Sequence, residues 1–223
     1  MHDPTAVDTF RLDLPNPWQI LPVDPAELDE TLARLRELDA WKTLDVARRR
    51  EAELTLRRFA SDARAGGVRL AAFHADLEQP TTADDAAELT LATLVSSVLT
   101  SADMGTDLPL TPHVLLAALT MQRSDEPVLT TTRVRGLAPP AIEQLPYGAV
   151  VRSRRIRDHL AKDAEPLTTY VDTFYAPVPA APHRMVLLEF STPHVDAIEL
   201  FAEYFGAVAS TLRFYRQDEA TAL

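Results

Sequence analysis

The side-chain groupings with chemical potential are few, and each has an ordinary explanation beside it. His74, Asp76 and Glu78 stand at i, i+2 and i+4 of a segment that reads as a strand, so all three project from one face. An imidazole with two carboxylates is a donor set for zinc, manganese or iron with open coordination positions. Against that, side chains on one short strand run parallel rather than converge. A solvated face over inward Phe73, Ala75 and Leu77 explains the same alternation. His194, Asp196 and Glu199 crowd the first turn of the last expected helix, where carboxylates complement the positive end of the helix dipole. Ser191 and Thr192 read as capping hydroxyls, and no G-x-S-x-G elbow occurs. No catalytic residue is assigned.

The arginines are the better binding candidates. Arg133 and Arg135 share one face of an expected strand, as do Arg152 and Arg154 of another, while Arg155 and Arg157 point to the opposite side. If the two strands are neighbours, a basic stripe crosses one sheet face and suits an acidic peptide, a phosphate or a nucleotide. The plain alternative is cross-strand pairing with Glu143, Asp158, Asp172 or Glu189. Nucleic acid is not the expected ligand, because no aromatic side chains interleave with the stripe as a stacking platform would.

These residues depend on elements that the sequence punctuates clearly. Phe10 to Leu14 reads as a strand, and Asp24-Pro25 with Glu27 marks a helix start whose Leu28, Leu32 and Leu35 recur at helical period. A second helix, about Leu44 to Ala65, carries Arg48, Arg49, Arg50, Arg57 and Arg58 and stops at Gly66-Gly67. Val68 to Leu77 follows as a strand. Glu88 to Thr100 fits either period, its Thr, Ser and Val content favouring strand. Thr111-Pro112 opens a short helix over Val114 to Met121. Strands are then expected at 128–137, 148–156, 168–178 and 184–190. Thr192-Pro193 opens a long amphipathic helix with Ile198, Phe201, Phe205, Val208 and Leu212 on its buried stripe. The order implies a single α+β domain over 1–223, an antiparallel sheet of about six to seven strands flanked by helices.

Composition excludes several classes. The 223 residues include no cysteine, which removes thiolate metal sites, disulfides and a cysteine nucleophile, and only 6 glycines against 17 prolines, too few for a phosphate-cradling loop. The net charge of −11 disfavours nucleic acid and anionic membrane surfaces. No apolar run approaches the ~18 residues of a membrane span, and the first ten residues lack a signal pattern, so a cytoplasmic, soluble protein is expected.

Trp18 with Leu21-Pro22, the Arg-rich second helix ending Ala65-Gly66-Gly67, and Tyr170 with Ala176-Pro177-Val178-Pro179 resemble segments of a large uncharacterised actinobacterial family. The run Leu187-Leu188-Glu189-Phe190-Ser191-Thr192-Pro193, leading to Ala209-Ser210-Thr211-Leu212-Arg213-Phe214, carries the most specific likeness. The element order is also similar to the PsbP-like fold. The resemblance implies a non-enzymatic binding or adaptor protein with a protein partner, linked to type VII secretion through the family's neighbours, and no cofactor. The alternative is a small-anion or metal binder, or an enzyme of that kind, built on the arginines or on His74, Asp76 and Glu78. Self-association is left open.

Overall fold

A computed structural model of the chain describes residues 7–16, 18–37, 41–42, 45–65, 67–78, 88–122, 132–159, 167–179 and 181–216. The expected strand over 128–137 is therefore described only from 132, and Gly66 lies outside these residues.

Strands β1 (Val7–Arg11) and β2 (Gln19–Leu21) precede helices α1 (Pro25–Glu37) and α2 (Val46–Ala65). Then come β3 (Val68–Glu78), β4 (Glu88–Thr100), α3 (Pro112–Gln122), β5 (Thr132–Gly136), β6 (Ala141–Leu145) and β7 (Gly148–His159). The chain continues through β8 (Leu167–Pro177), β9 (Arg184–Thr192), α4 (Ile198–Ala209) and β10 (Arg213–Arg216). Every pairing among the described strands is antiparallel. The main sheet has eight strands in the order β2-β3-β4-β9-β8-β7-β5, with β6 also on β7, and β1 and β10 form a separate ribbon. The segment 88–100 is thus a strand, as its β-branched content indicated.

The boundaries follow from local chemistry. Leu28 N–H reaches Asp24 O at 2.9 Å, which starts α1 where Pro25 fits the first turn. Thr111 caps α3 twice: its carbonyl accepts from Leu115 N at 3.0 Å and its hydroxyl from Val114 N at 3.3 Å. After α2, Gly67 adopts φ +72° and donates to Arg64 O at 3.1 Å, a left-handed stop that only glycine enters without strain.

Alternation gives the sheet two unlike faces. One face supplies Leu94, Leu188, Phe190, Tyr170, Phe174, Val150 and Ile156 to a core closed by Phe201, Phe205 and Val208 of α4 together with Leu212. Rings of Phe190 and Phe205 stack at 4.9 Å between centroids, and each such side chain contributes roughly 1.5–3 kcal/mol on burial. The opposite face packs Val151 and Met185 against Leu110 and against Leu115 and Leu119 of α3. Leu28 and Leu32 of α1 meet Ala60 of α2 in a smaller cluster. The ribbon joins the first and last described strands, and beside it Asp13 N donates to Thr211 Oγ1 at 3.0 Å and that hydroxyl donates to Asp13 O at 3.1 Å.

Two expectations are corrected. The sheet has eight strands, not six to seven: β2 and β6, three and five residues long, carry no legible alternation, and the opening strand belongs to the separate ribbon with β10. The last helix is also shorter than expected. Thr192 does not cap it but ends β9, its hydroxyl donating to Leu91 O at 2.6 Å, and α4 begins at Ile198 after Ala197. His194 completes that seam by accepting Leu91 N–H on Nε2 at 3.0 Å. β4 runs beyond the last residue that β9 pairs, Thr93, so side chains from the β9–α4 connection satisfy the backbone groups of Leu91. Leu212 lies past the helix, yet it is buried as the stripe required.

Candidate interaction site

The arginine stripe is the feature that sequence and structure bring together. β5 pairs with β7 with Arg133 opposite Asp158 and Arg135 opposite Ile156. Arg152, Arg154, Ile156 and Asp158 alternate onto one side of β7, so Arg133, Arg135, Arg152 and Arg154 share a face, the one that carries α4. Arg155 and Arg157 point away, Arg155 Nε donating to Ser153 Oγ at 3.1 Å and Arg157 pairing with Glu189 at 3.2 Å.

The four are not equivalent. Arg152 is inside the protein: its guanidinium grips Asp172 through Nε–Oδ1 at 3.0 Å and Nη2–Oδ2 at 2.6 Å. It also donates to Ala202 O of α4 at 2.6 Å, reaches Glu143 at 3.4 Å and lies 4.8 Å over the Phe174 ring. Asp172 is fully buried and takes a further bond from Tyr170 OH at 2.8 Å. Burial works against the Arg152 charge, but the hydrogen bonds and charge of Asp172, helped by Glu143, outweigh it and raise its pKa. Burial and the adjacent Asp172 carboxylate likewise raise the Tyr170 hydroxyl. This network fastens α4 to the sheet and commits the Arg152 guanidinium to Asp172, Ala202 O and Glu143.

Arg154 is intermediate, 3.8 Å from Glu199 at the start of α4. Arg135 is exposed and holds Asp158 only at 3.5 Å. Arg133 is exposed, with no ion pair among the described residues. The α4 helix packs over β8 and β9, so among the described residues β5 forms an exposed basic shelf beside it. Leu137 continues the shelf, donating its N–H to Arg154 O at 3.0 Å and remaining 45% exposed. The carboxylates Glu143, Asp158, Asp172 and Glu189 all pair with arginines, as the cross-strand alternative required, and Glu199 joins them.

Facing outward next to the shelf, α4 and its approach present Asp196, Glu199, Leu200, Glu203 and Ala207, all exposed. From the sequence, Asp196 and Glu199 read only as first-turn carboxylates, and nothing there marked the set as a surface.

The other candidates fare differently. His74 is on the α4 face of β3 with Ala72 and is half-buried, as Phe73 is, so a solvated face at His74 is not what the structure shows. Trp18 Nε1 donates to Tyr204 OH at 2.6 Å, His74 Nδ1 shares that hydroxyl at 3.2 Å, and the Trp18 and His74 rings meet edge-on at 5.8 Å. Burial raises the Tyr204 hydroxyl and the Trp18 bond partly opposes it. Asp76 and Glu78 share the backbone face of His74, at register positions opposite Thr90 and Glu88. Among the described residues no three of His, Asp and Glu are placed to hold a metal ion. His194 stacks on Phe201 at 5.7 Å and is used in the Leu91 seam.

The site and frame therefore define an antiparallel α+β protein with a basic shelf flanked by an acidic helix. No protein-family model matches the chain, and no curated protein matches it. Among solved structures it is similar to LpqN, involved in cell envelope biogenesis of Mycobacterium tuberculosis, at 12% identity and a TM-score of 0.42, over 92% of this chain and 83% of that one. A likeness of that degree assigns no function. No described helix is long and apolar enough to cross a membrane.

Proposed function

We propose that the chain is a non-enzymatic, soluble binding or adaptor protein and that the shelf of Arg133, Arg135 and Leu137, with the outward face of α4, is its recognition surface. The observation that carries this reading is the separation within the stripe. Arg152 is consumed by buried pairing, whereas Arg133 and Arg135 stay in solvent on a protein of net charge −11. Exposed guanidinium groups beside exposed Leu137 and Leu200 match the mixture of planar cation and apolar contact that protein interfaces favour. The resemblance of the last third to an actinobacterial family neighbouring type VII secretion components supports an assembly role. A photo-reactive residue at position 137 or 200 should give discrete adducts in the native cell, and one at exposed Ala33 on α1 should not. Equal labelling from all three positions, or none from any, refutes the reading.

A second use of the same cations, holding a small anion, is favoured by the exposure of Arg133. Native mass spectrometry separates it, since a bound anion adds a discrete mass to 24.7 kDa.

A further inference from the structure

We propose that the shelf is occupied by α4 of a second copy of the chain, an inference that rests on reading the shelf as a recognition surface. The two surfaces are complementary in charge. Arg133 and Arg135 are exposed on β5, and Asp196, Glu199 and Glu203 are exposed on and just before α4. Their spacings also agree: helical rise sets Glu199 and Glu203 about 6 Å apart, and strand rise sets Arg133 and Arg135 about 7 Å apart. Each surface carries an exposed leucine in line with its charges, Leu137 at 45% on the shelf and Leu200 at 68% on the helix. Ala207 continues the helix stripe without bulk and permits close approach.

Within one chain the pairing is incomplete. Glu199 touches Arg154 only at 3.8 Å with its side chain 88% exposed, and α4 is held over β8 and β9 by its buried aromatic face. Its acids therefore cannot turn onto β5 of the same molecule. A two-fold arrangement places each α4 on the other copy's shelf, so every Arg–Glu contact occurs twice. Two chains of charge −11 repel at long range, and local complementarity is what selects this orientation over others.

Sedimentation mass of the full chain tests this. The wild type should approach twice 24.7 kDa at micromolar concentration. Arg133→Glu with Arg135→Glu, or Glu199→Arg with Glu203→Arg, should each weaken association by roughly tenfold or more. Combining all four substitutions should restore it. Because the chain has no cysteine, a mixture of Arg135→Cys and Glu203→Cys proteins should also oxidise to a covalent dimer, and an Arg34→Cys and Glu203→Cys mixture should not. A wild type that stays at 24.7 kDa at every concentration, or a dimer indifferent to both reversals, overturns the proposal. If a monomer still gives adducts to another protein from position 137, self-pairing fails while the recognition surface stands.

Discussion

Arg152 ends up inside the sheet face because Asp172 is there to receive it, and neither residue is tolerable alone. A buried carboxylate stripped of its cation is strongly destabilising, so Arg152→Ala should cost about 3–5 kcal/mol in urea unfolding. Replacing the whole network, Arg152→Met with Asp172→Leu and Tyr170→Phe, should fall far closer to wild type, because no buried charge is then orphaned. Equal losses from the two variants would contradict a paired-charge account. Tyr147 poses the opposite case. Its hydroxyl is buried without a partner among the described residues, and the ring packs edge-on against Phe214 at 5.7 Å. Tyr147→Phe should therefore gain about 1 kcal/mol. Burial also raises the Tyr147 hydroxyl, as it does that of Tyr170. A raised folded-state pKa means that this contribution is whole below the unfolded tyrosine value of about 10 and is lost as pH climbs above it. Stability should fall on the alkaline side, and less steeply in Tyr147→Phe; a profile unchanged by the substitution would exclude Tyr147 as a source.

At the scale of elements, α4 shows what sequence can and cannot convey. Phe201, Phe205, Val208 and Leu212 were legible as a buried stripe because helical period and aromatic content agree, and all four are buried. The start of the helix was not legible. Thr192-Pro193 has the chemistry of a cap, but the Thr192 hydroxyl is drawn to a β4 carbonyl that the sequence cannot place beside it. Asp172 was among the four carboxylates expected to pair across strands with the arginines, but its choice of Arg152, twenty positions away, depends on a strand register that the sequence does not give. His74 was misassigned to solvent for a related reason: its partners Trp18 and Tyr204 come from distant segments. Gly206 within α4 offers a check on the helix itself. A Cβ there would meet the Arg152 guanidinium at 3.8 Å, an ordinary contact. Gly206→Ala should then stabilise by about 0.5–1 kcal/mol through helix propensity. A loss instead would mean that Arg152 needs the space.

For the molecule as a whole, the broken outer edge explains why an arginine-bearing surface can persist. β5 and β6 lie end to end along β7, separated by a segment that contains Pro139 and Pro140. Short strands, prolines and charges all discourage indiscriminate strand addition at an edge. Recognition at this edge must then proceed through side chains, which favours a partner presenting acids at helical spacing over one adding a strand. The most direct measurement is photo-cross-linking in the native cell from position 137, compared between the wild-type background and Arg133→Glu with Arg135→Glu. The account predicts discrete adducts that largely disappear when the two charges are reversed. Adducts of undiminished yield in the reversed background, or none in either, would contradict it.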